Sequence, residues 1–411
     1  MRQAALGLFY FMTCWHLCRQ AAVDGMAMPT DVTWHFIDTE EALERACADL
    51  ATREVIGVDT EFMRETTFYP VPALIQLGDA EVVYLIDPTV VTPTASLRAL
   101  LGDEGPLKIL HACGEDMEIF MHWTGDVPSP IVDTQLAHAL LGEESSISYQ
   151  RLVDYWEQQH VPKGETRSNW LQRPLSEEQC RYAALDVVWL SLIWQRQQIP
   201  LREQGRLAWL LEDCHALVEA ARGARDDERW YLRHRNAWRL EPRQLAAFQR
   251  LCVWRERAVR EQNLPRNWLA SDAILMEIAA ALPSNRYELS RIDGIKPSLI
   301  KREGDTLLAL IQEAMMLDES VLPTVLPSPV SDAYKRRMKV LKAAVSDRAR
   351  ELSLPSEVLV TRRELERWIS ADLQHTDWPS LSGWRGDVLN DALASALSKN
   401  EHAPVSAPDK R

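Results

Sequence analysis

The sequence predicts an α/β domain, a mixed sheet flanked by helices, followed by an all-helical region built on an internal repeat. Three observations carry this. The apolar runs Ala73–Leu77 and Val82–Ile86 flank Gly78-Asp79-Ala80-Glu81, a hairpin signal, and follow another strand-like run, Val55–Met63. Helical and strand patterns then alternate to about Gln195, which places helices on the faces of the sheet. Beyond that point only helical periodicity remains, and Glu261-Gln262-Asn263-Leu264-Pro265 returns ninety residues later as Glu351-Leu352-Ser353-Leu354-Pro355.

In order, Val32–Ile37 reads as a short strand, and Asp38 or Thr39 caps a helix over Glu40–Leu50 with Leu43, Ala46 and Leu50 on one face. The Val55–Met63 strand and the hairpin give three strands expected to be antiparallel. A helix over Ser96–Leu101, a strand at Lys108–Leu110 and a helix from about Asp116 to Trp123 come next. Ile131-Val132-Asp133 ends a strand that enters a helix over Thr134–Leu141, with Asp133 as its cap. Leu152–Gln159 and Glu177–Gln195 are amphipathic helices around a polar loop, Pro162–Trp170.

At 411 residues the chain is long enough for two or three domains with a sizeable core. Its 46% hydrophobic and 26% charged residues are ordinary globular values. A net charge of −14 argues against wholesale coating of nucleic acid but not against a metal-dependent nuclease, whose site is itself acidic. Seven cysteines without a CxxC pair read as reduced thiols of a cytoplasmic protein. The apolar stretch Leu6–Cys18 is short for a membrane span. Residues 1–28 read as a start-site extension, an export signal being the alternative.

Asp59 and Glu61 sit at i and i+2 of a strand, so their side chains share a face. Crowded carboxylates repel each other, and a hard divalent cation relieves the cost. An edge strand with a polar face would carry the pair harmlessly. Asp116 stands at a strand-to-helix junction, where an acid ordinarily serves as an N-cap. Tyr182 and Asp186, at i and i+4, share a helix face and could be a structural hydrogen-bonded pair. Taken together, the four acids suffice for two divalent cations, Mg²⁺ or Mn²⁺, arranged for phosphoryl chemistry, with Tyr182 orienting or deprotonating a water.

These motifs resemble the ribonuclease D family of DEDDy 3′→5′ exonucleases. Asp59-Thr60-Glu61-Phe62 matches the first motif, His111-Ala112 through Asp116 the second, and Arg181-Tyr182-Ala183-Ala184-Leu185-Asp186 the third. Ser168-Asn169-Trp170 and Arg173-Pro174-Leu175 resemble the approach to the third motif, and the repeated unit resembles the HRDC domain. The resemblance implies a ribonuclease H-like fold and a catalytic set of Asp59, Glu61, Asp116, Tyr182 and Asp186. It places one metal on Asp59, Glu61 and Asp186, and a second shared by Asp59 and Asp116. It further implies 5′-mononucleotide products and RNA partners that include the 3′ ends of tRNA precursors. A DNA-directed exonuclease of the same group is the alternative, and a non-catalytic RNA-binding module a third reading.

Weaker candidates for substrate contact are Phe62 and Met63, which could stack on a terminal base or pack in the core, and Gln76, a polar interruption in a buried strand. His111 reads as a phosphate contact or a bonded core histidine. Lys163, Arg167 and Arg173 read as phosphate contacts or solvated charges. Between Arg233 and Arg260 lie eight arginines and two glutamates, interleaved with Trp238 and Trp254 and followed by Trp268. This predicts a basic face for an RNA backbone, unless the tryptophans are core and the arginines pair with acids. The expected division is an exonuclease domain over 29–199, a helical connector 200–232, a first HRDC domain 233–318, a linker 323–330, a second HRDC-like domain 331–398 and a disordered tail 399–411. A monomer without membrane attachment is expected.

Overall fold

The computed structural model describes residues 32–160, 168–223 and 227–401. The start-site extension, Lys163, Arg167 and residues 402–411 of the tail lie outside the described residues.

Strands β1 (Thr33–Ile37), β2 (Val55–Met63), β3 (Val71–Gly78), β4 (Val82–Ile86), β5 (Leu107–Leu110) and β6 (Ile131–Asp133) form one sheet in the order β1-β4-β3-β2-β5-β6. The β2–β3–β4 meander is antiparallel, as its hairpin signal predicts, and β1, β5 and β6 join in parallel. Helices α1 (Glu40–Leu50), α2 (Ala95–Leu101), α3 (Gly114–Thr124), α4 (Thr134–Leu140), α5 (Tyr149–Glu157), α6 (Glu177–Glu203) and α7 (Leu207–Arg222) complete this part. Thr39 rather than Asp38 caps α1, accepting from the Ala42 N–H. Leu43, Ala46, Cys47 and Leu50 form the buried face of α1.

Three helices depart from the sequence reading. α3 starts at Gly114, two residues early, so Asp116 lies inside the first turn and Cys113 is the cap. α5 begins at Tyr149 and ends where Gln158 turns left-handed at φ 55. α6 continues past Gln195 to Glu203 through Pro200. A proline inside a helix costs about 3 kcal/mol, but Gln197 and Leu201 of this stretch are fully buried, and that burial carries the helix on.

The first repeat is α8 (Pro242–Glu261), α9 (Arg266–Leu269), α10 (Asp272–Ala281), α11 (Arg286–Ser290) and α12 (Pro297–Met315). The second is α13 (Asp332–Leu352), α14 (Ser356–Leu359), α15 (Arg362–Leu373) and α16 (Gly383–Glu401). Matched positions play matched roles. Leu251 and Leu341, Leu275 and Leu365, and Ile278 and Trp368 are all buried. Asn263 and Ser353 both turn left-handed, at φ 49 and 51. α11 has no counterpart in the second repeat.

The two repeats attach differently. The second shares one continuous core with the sheet. Trp384 stacks on Trp209 of α7 at 4.5 Å, its Nε1 donates to Asp213 at 3.0 Å, and Arg385 grips the same carboxylate. The first repeat has its own core and takes Phe68 into it, from the segment just after β2. Asn263 Oδ1 accepts from the N–H groups of both Phe68 and Tyr69 at 3.0 Å.

α6 crosses the middle of the sheet at Gly57. A Cβ there would lie 2.8 Å from the Val187 carbonyl oxygen and 2.9 Å from its Cγ1, so only glycine lets α6 approach. Gly57→Ala is expected to destabilise the protein by about 1–3 kcal/mol, as overpacking does, read as a lower denaturant midpoint. An unchanged midpoint would show that α6 does not press on β2.

Candidate active site

β2 carries Asp59 and Glu61 on one face and Thr60 on the other, and α6 brings Asp186 against that first face. Asp59, Glu61 and Asp186 each offer an oxygen within 4.8 Å of the others. The three come from segments more than a hundred residues apart, the two on the strand sharing the face that their spacing predicts. The Oδ1 of Asp186 is buried and has no hydrogen-bond partner. A buried carboxylate oxygen without a donor is costly unless a cation meets it. The donor set is all oxygen and anionic, which fits a hard divalent cation rather than a softer metal.

Asp116 is not part of that three-acid group. It is no N-cap either: it is buried in the first turn of α3, and its Oδ1 accepts from the Thr60 hydroxyl. Thr60 therefore ties the second motif to the first from the opposite face of β2. Asp116 is still near enough for its charge to act on Asp59 and Glu61.

The electrostatics arise from burial and crowding. Burial pushes Glu61 up to about 9, with the charges of Asp186 and Asp116 adding to it. Burial raises Asp59 well above the carboxylate range, helped by Asp116, Asp186 and Glu61. Burial also lifts Asp116 and Asp186 to about 7, against hydrogen bonds from Thr60 and Tyr182 respectively. The Tyr182 phenol is itself raised, by burial and then by the charge of Asp186. A second tyrosine flanks the acids. Tyr149 donates to the Leu185 carbonyl at 2.9 Å, and burial and the charges of Asp186 and Asp59 raise its phenol. No sequence signal singled it out, because it lies on a separate helix outside every motif.

Two of the expected substrate contacts, Arg173 and His111, are turned to other work. Arg173 spends all five of its N–H donors: on Asp87 through Nε and Nη2, on the Trp170 and Gln172 carbonyls through Nη1, and on the Ala73 carbonyl at 2.7 Å. Ala73 is the residue left unpaired by a bulge opposite Glu61 and Phe62, so Arg173 holds the hairpin rather than a phosphate. His111 has both ring nitrogens engaged, with the Thr134 hydroxyl at 3.0 Å and the Ile147 carbonyl at 3.1 Å, and burial holds its imidazole below the ordinary value. Gln76 pairs with Asp59 across β2 and β3 but is fully buried, and its amide satisfies nothing. Phe62 and Met63 are half-buried at the end of β2, and Phe62 packs against the core.

The arginine-rich stretch is thinner than its composition. Arg243 donates to the Ala314, Met315 and Leu317 carbonyls, Arg255 is buried against Asp272, and Arg250 faces Glu313. Arg260 lies over the Phe68 ring and near Glu256. Arg233, Arg235, Arg239 and Arg257 are the exposed ones, Trp238 and Trp254 are half-buried, and Trp268 is 53% exposed.

A 3′-5′ exonuclease family model matches residues 34–198, an HRDC domain model matches 244–311, and a model of the ribonuclease D C-terminal HRDC domain matches 332–393. Ribonuclease D of Pseudomonas paraeruginosa is 38% identical over 370 residues, which is 89% of this chain and 98% of that protein. The chain belongs to the ribonuclease D family. Ribonuclease D of Escherichia coli is 34% identical over 90% of this chain and 99% of its own. The crystal structure of Escherichia coli RNase D, described as an exoribonuclease involved in structured RNA processing, superposes with a TM-score of 0.81 over 90% of this chain and 99% of that one. The catalytic core of RRP6 from Trypanosoma brucei shares the fold at a TM-score of 0.54 and 21% identity, over 72% of this chain and 82% of its own. Ribonuclease D membership makes the chain a 3′→5′ exoribonuclease and favours RNA over the DNA-directed alternative.

The raised acids also set the pH behaviour. Without metal, the folded state keeps protons on these carboxylates at pH values where the unfolded chain, titrating near 4, has lost them. Stability contributed by the cluster is therefore full below about pH 4 and is lost as pH rises through about 7 for Asp116 and Asp186 and about 9 for Glu61. Between pH 5 and 9 in EDTA, Asp186→Asn is expected to flatten the fall in Tm seen in the wild-type chain. A wild-type Tm that rises across this range would contradict the assignment.

Proposed function

We propose that Asp59, Glu61, Asp116 and Asp186 hold two divalent cations, magnesium or manganese, and that the chain removes 5′-mononucleotides from RNA 3′ ends, including those of tRNA precursors. The observation that carries this is the convergence of Asp59, Glu61 and Asp186 within 4.8 Å, with an orphaned oxygen on Asp186. When bound, the cations supply Lewis acidity for the attacking water and for the charge on the departing 3′ oxygen. Asp59, Glu61 and Asp186 are assigned to the cation on the water side, and Asp59 with Asp116 to the other. Asp116 accepts the Thr60 hydroxyl through Oδ1, and its other oxygen, Oδ2, would serve the metal.

Tyr182 stands one helical turn before Asp186. Its phenol is pushed up by burial and by that carboxylate, so at neutral pH it is a protonated hydroxyl. A protonated phenol orients a water through hydrogen bonds and is a poor base. Positioning, more than proton removal, is its role. Tyr149 backs the same pocket. We assign RNA backbone contact to the exposed Arg235, Arg239 and Arg257, with the exposed Trp268 as a candidate stacking surface, and cytoplasmic action as a monomer to the whole. Among the described residues, no helix is long and apolar enough to cross a membrane.

Asp59→Ala and Asp186→Ala are expected to abolish release of mononucleotides from a tRNA with a 3′ extension under Mg²⁺, with far-UV circular dichroism unchanged. Tyr182→Phe should lose about 10²-fold or more in turnover. Full activity in either alanine variant would refute the site, and faster degradation of single-stranded DNA than of the extended tRNA would refute the substrate. The second repeat shares its core with the catalytic part, so the repeats are tested by charge rather than by deletion. Reversing Arg235, Arg239 and Arg257 to glutamate should weaken extended-tRNA binding and flatten its salt dependence, while hydrolysis of a short oligonucleotide changes little. Equal loss on both substrates would count against a separate binding face.

A further inference from the structure

Asp133 ends β6 and caps α4, where its Oδ1 accepts from Gln135 N–H at 2.8 Å and Leu136 N–H at 3.3 Å. The same carboxylate reaches across to the exit of the neighbouring strand. Its Oδ1 accepts from Ala112 N–H at 3.2 Å and its Oδ2 from Cys113 N–H at 2.9 Å. Those amides form the turn between β5 and α3. The turn is strained and lacks a capping side chain of its own: Ala112 sits left-handed at φ 54, and Cys113 caps α3 without a side-chain bond. Thr134 adds a second clasp, its hydroxyl donating to the Leu110 carbonyl at 3.0 Å and meeting His111 Nδ1 at 3.0 Å. Asp116 comes three residues after Cys113, in the first turn of α3, so the conformation of this turn sets where its carboxylate can reach.

A helix cap needs one side-chain oxygen facing N–H groups. Asp133 is 3% exposed and turns both of its oxygens on amides, one of them shared between α4 and the Ala112 turn. An amide side chain cannot reproduce this, because its NH₂ would face a backbone N–H on one side or the other.

We propose that Asp133 is a positioning residue for Asp116, and through it for one of the two cation sites. The inference rests on the metal reading given above and concerns which residues hold Asp116 for it. It is tested on the full chain with Asp133→Asn, Thr134→Val and, as a control, Thr39→Ala, which removes a helix cap from α1. The readouts are Mn²⁺ binding by calorimetry, the rise in Tm on adding Mn²⁺, and the Mg²⁺ concentration for half-maximal hydrolysis of a short oligonucleotide. Asp133→Asn is expected to weaken one of two Mn²⁺ sites about 10–100-fold, the range for partners that orient metal ligands. The half-maximal Mg²⁺ concentration should rise by a similar factor and the other site should stay within about twofold. Thr39→Ala should lower Tm and leave both sites alone. Should Asp133→Asn not fold, Thr134→Val loosens the same turn and is expected to shift the same site. The proposal is overturned if Asp133→Asn, or Thr134→Val in its place, lowers Tm as Thr39→Ala does while both Mn²⁺ affinities stay at wild-type values. Absence of paired Mn²⁺ sites in the wild-type chain would overturn the metal reading itself, and this inference with it.

Discussion

The cost of holding four carboxylates together away from water governs this structure. Burial is the largest cause of the upward shift at each of Asp59, Glu61, Asp116 and Asp186, and mutual charge comes next at Asp59 and Glu61. Left to themselves, such groups would move apart or take up protons. The chain prevents the first by placing them on rigid elements: a central strand, the first turn of one helix and the middle of another. Gly57 lets α6 lie against β2, a Ser176–Gln179 capping box sets where α6 starts, and the Thr60 hydroxyl holds Asp116. What remains is to take up protons or to bind a doubly charged cation, which relieves the crowding without them.

Around the acids, polar residues that resemble ligand contacts act as struts. Arg173 closes the bulge at Ala73 with every donor it has, and His111 is locked between a hydroxyl and a carbonyl. The reason is general: a buried polar group without a partner costs about 1–3 kcal/mol, so polar residues near a packed site are consumed in holding it. Gln76 is the exception, fully buried across from Asp59 with its amide unmet. It adds to the polar strain of the same place.

The helical repeats are related in sequence and different in attachment. The first docks through Phe68 and Tyr69, the segment that leaves the acid-bearing strand, clasped by Asn263 and by Arg266 over the Phe68 ring at 4.8 Å. The second is continuous with the sheet's core through α7 and the Trp209–Trp384 stack. The first repeat is therefore tied to the segment that leaves β2, whereas the second shares the core of the catalytic part. Asn263 and Ser353 occupy the same left-handed position in the two copies, and only the first carries an amide able to clasp two backbone N–H groups.

By itself the sequence determined the features that local periodicity and spacing impose. Alternation along Val55–Met63 put Asp59 and Glu61 on one face, the i, i+4 step put Tyr182 beside Asp186, and the ninety-residue echo exposed the paired repeats. The motifs together resemble those of the family to which the chain belongs. Only the tertiary structure decided how groups distant in the chain use their hydrogen-bonding capacity. It moved Asp116 from a cap to a buried partner of Thr60, turned His111 and Arg173 inward, carried α6 past Pro200, and set four of the eight arginines between Arg233 and Arg260 against carbonyls and acids. The physical reason is that a side chain's chemical type is written in the sequence, while whether that chemistry remains free depends on which buried donors and acceptors the fold brings to it.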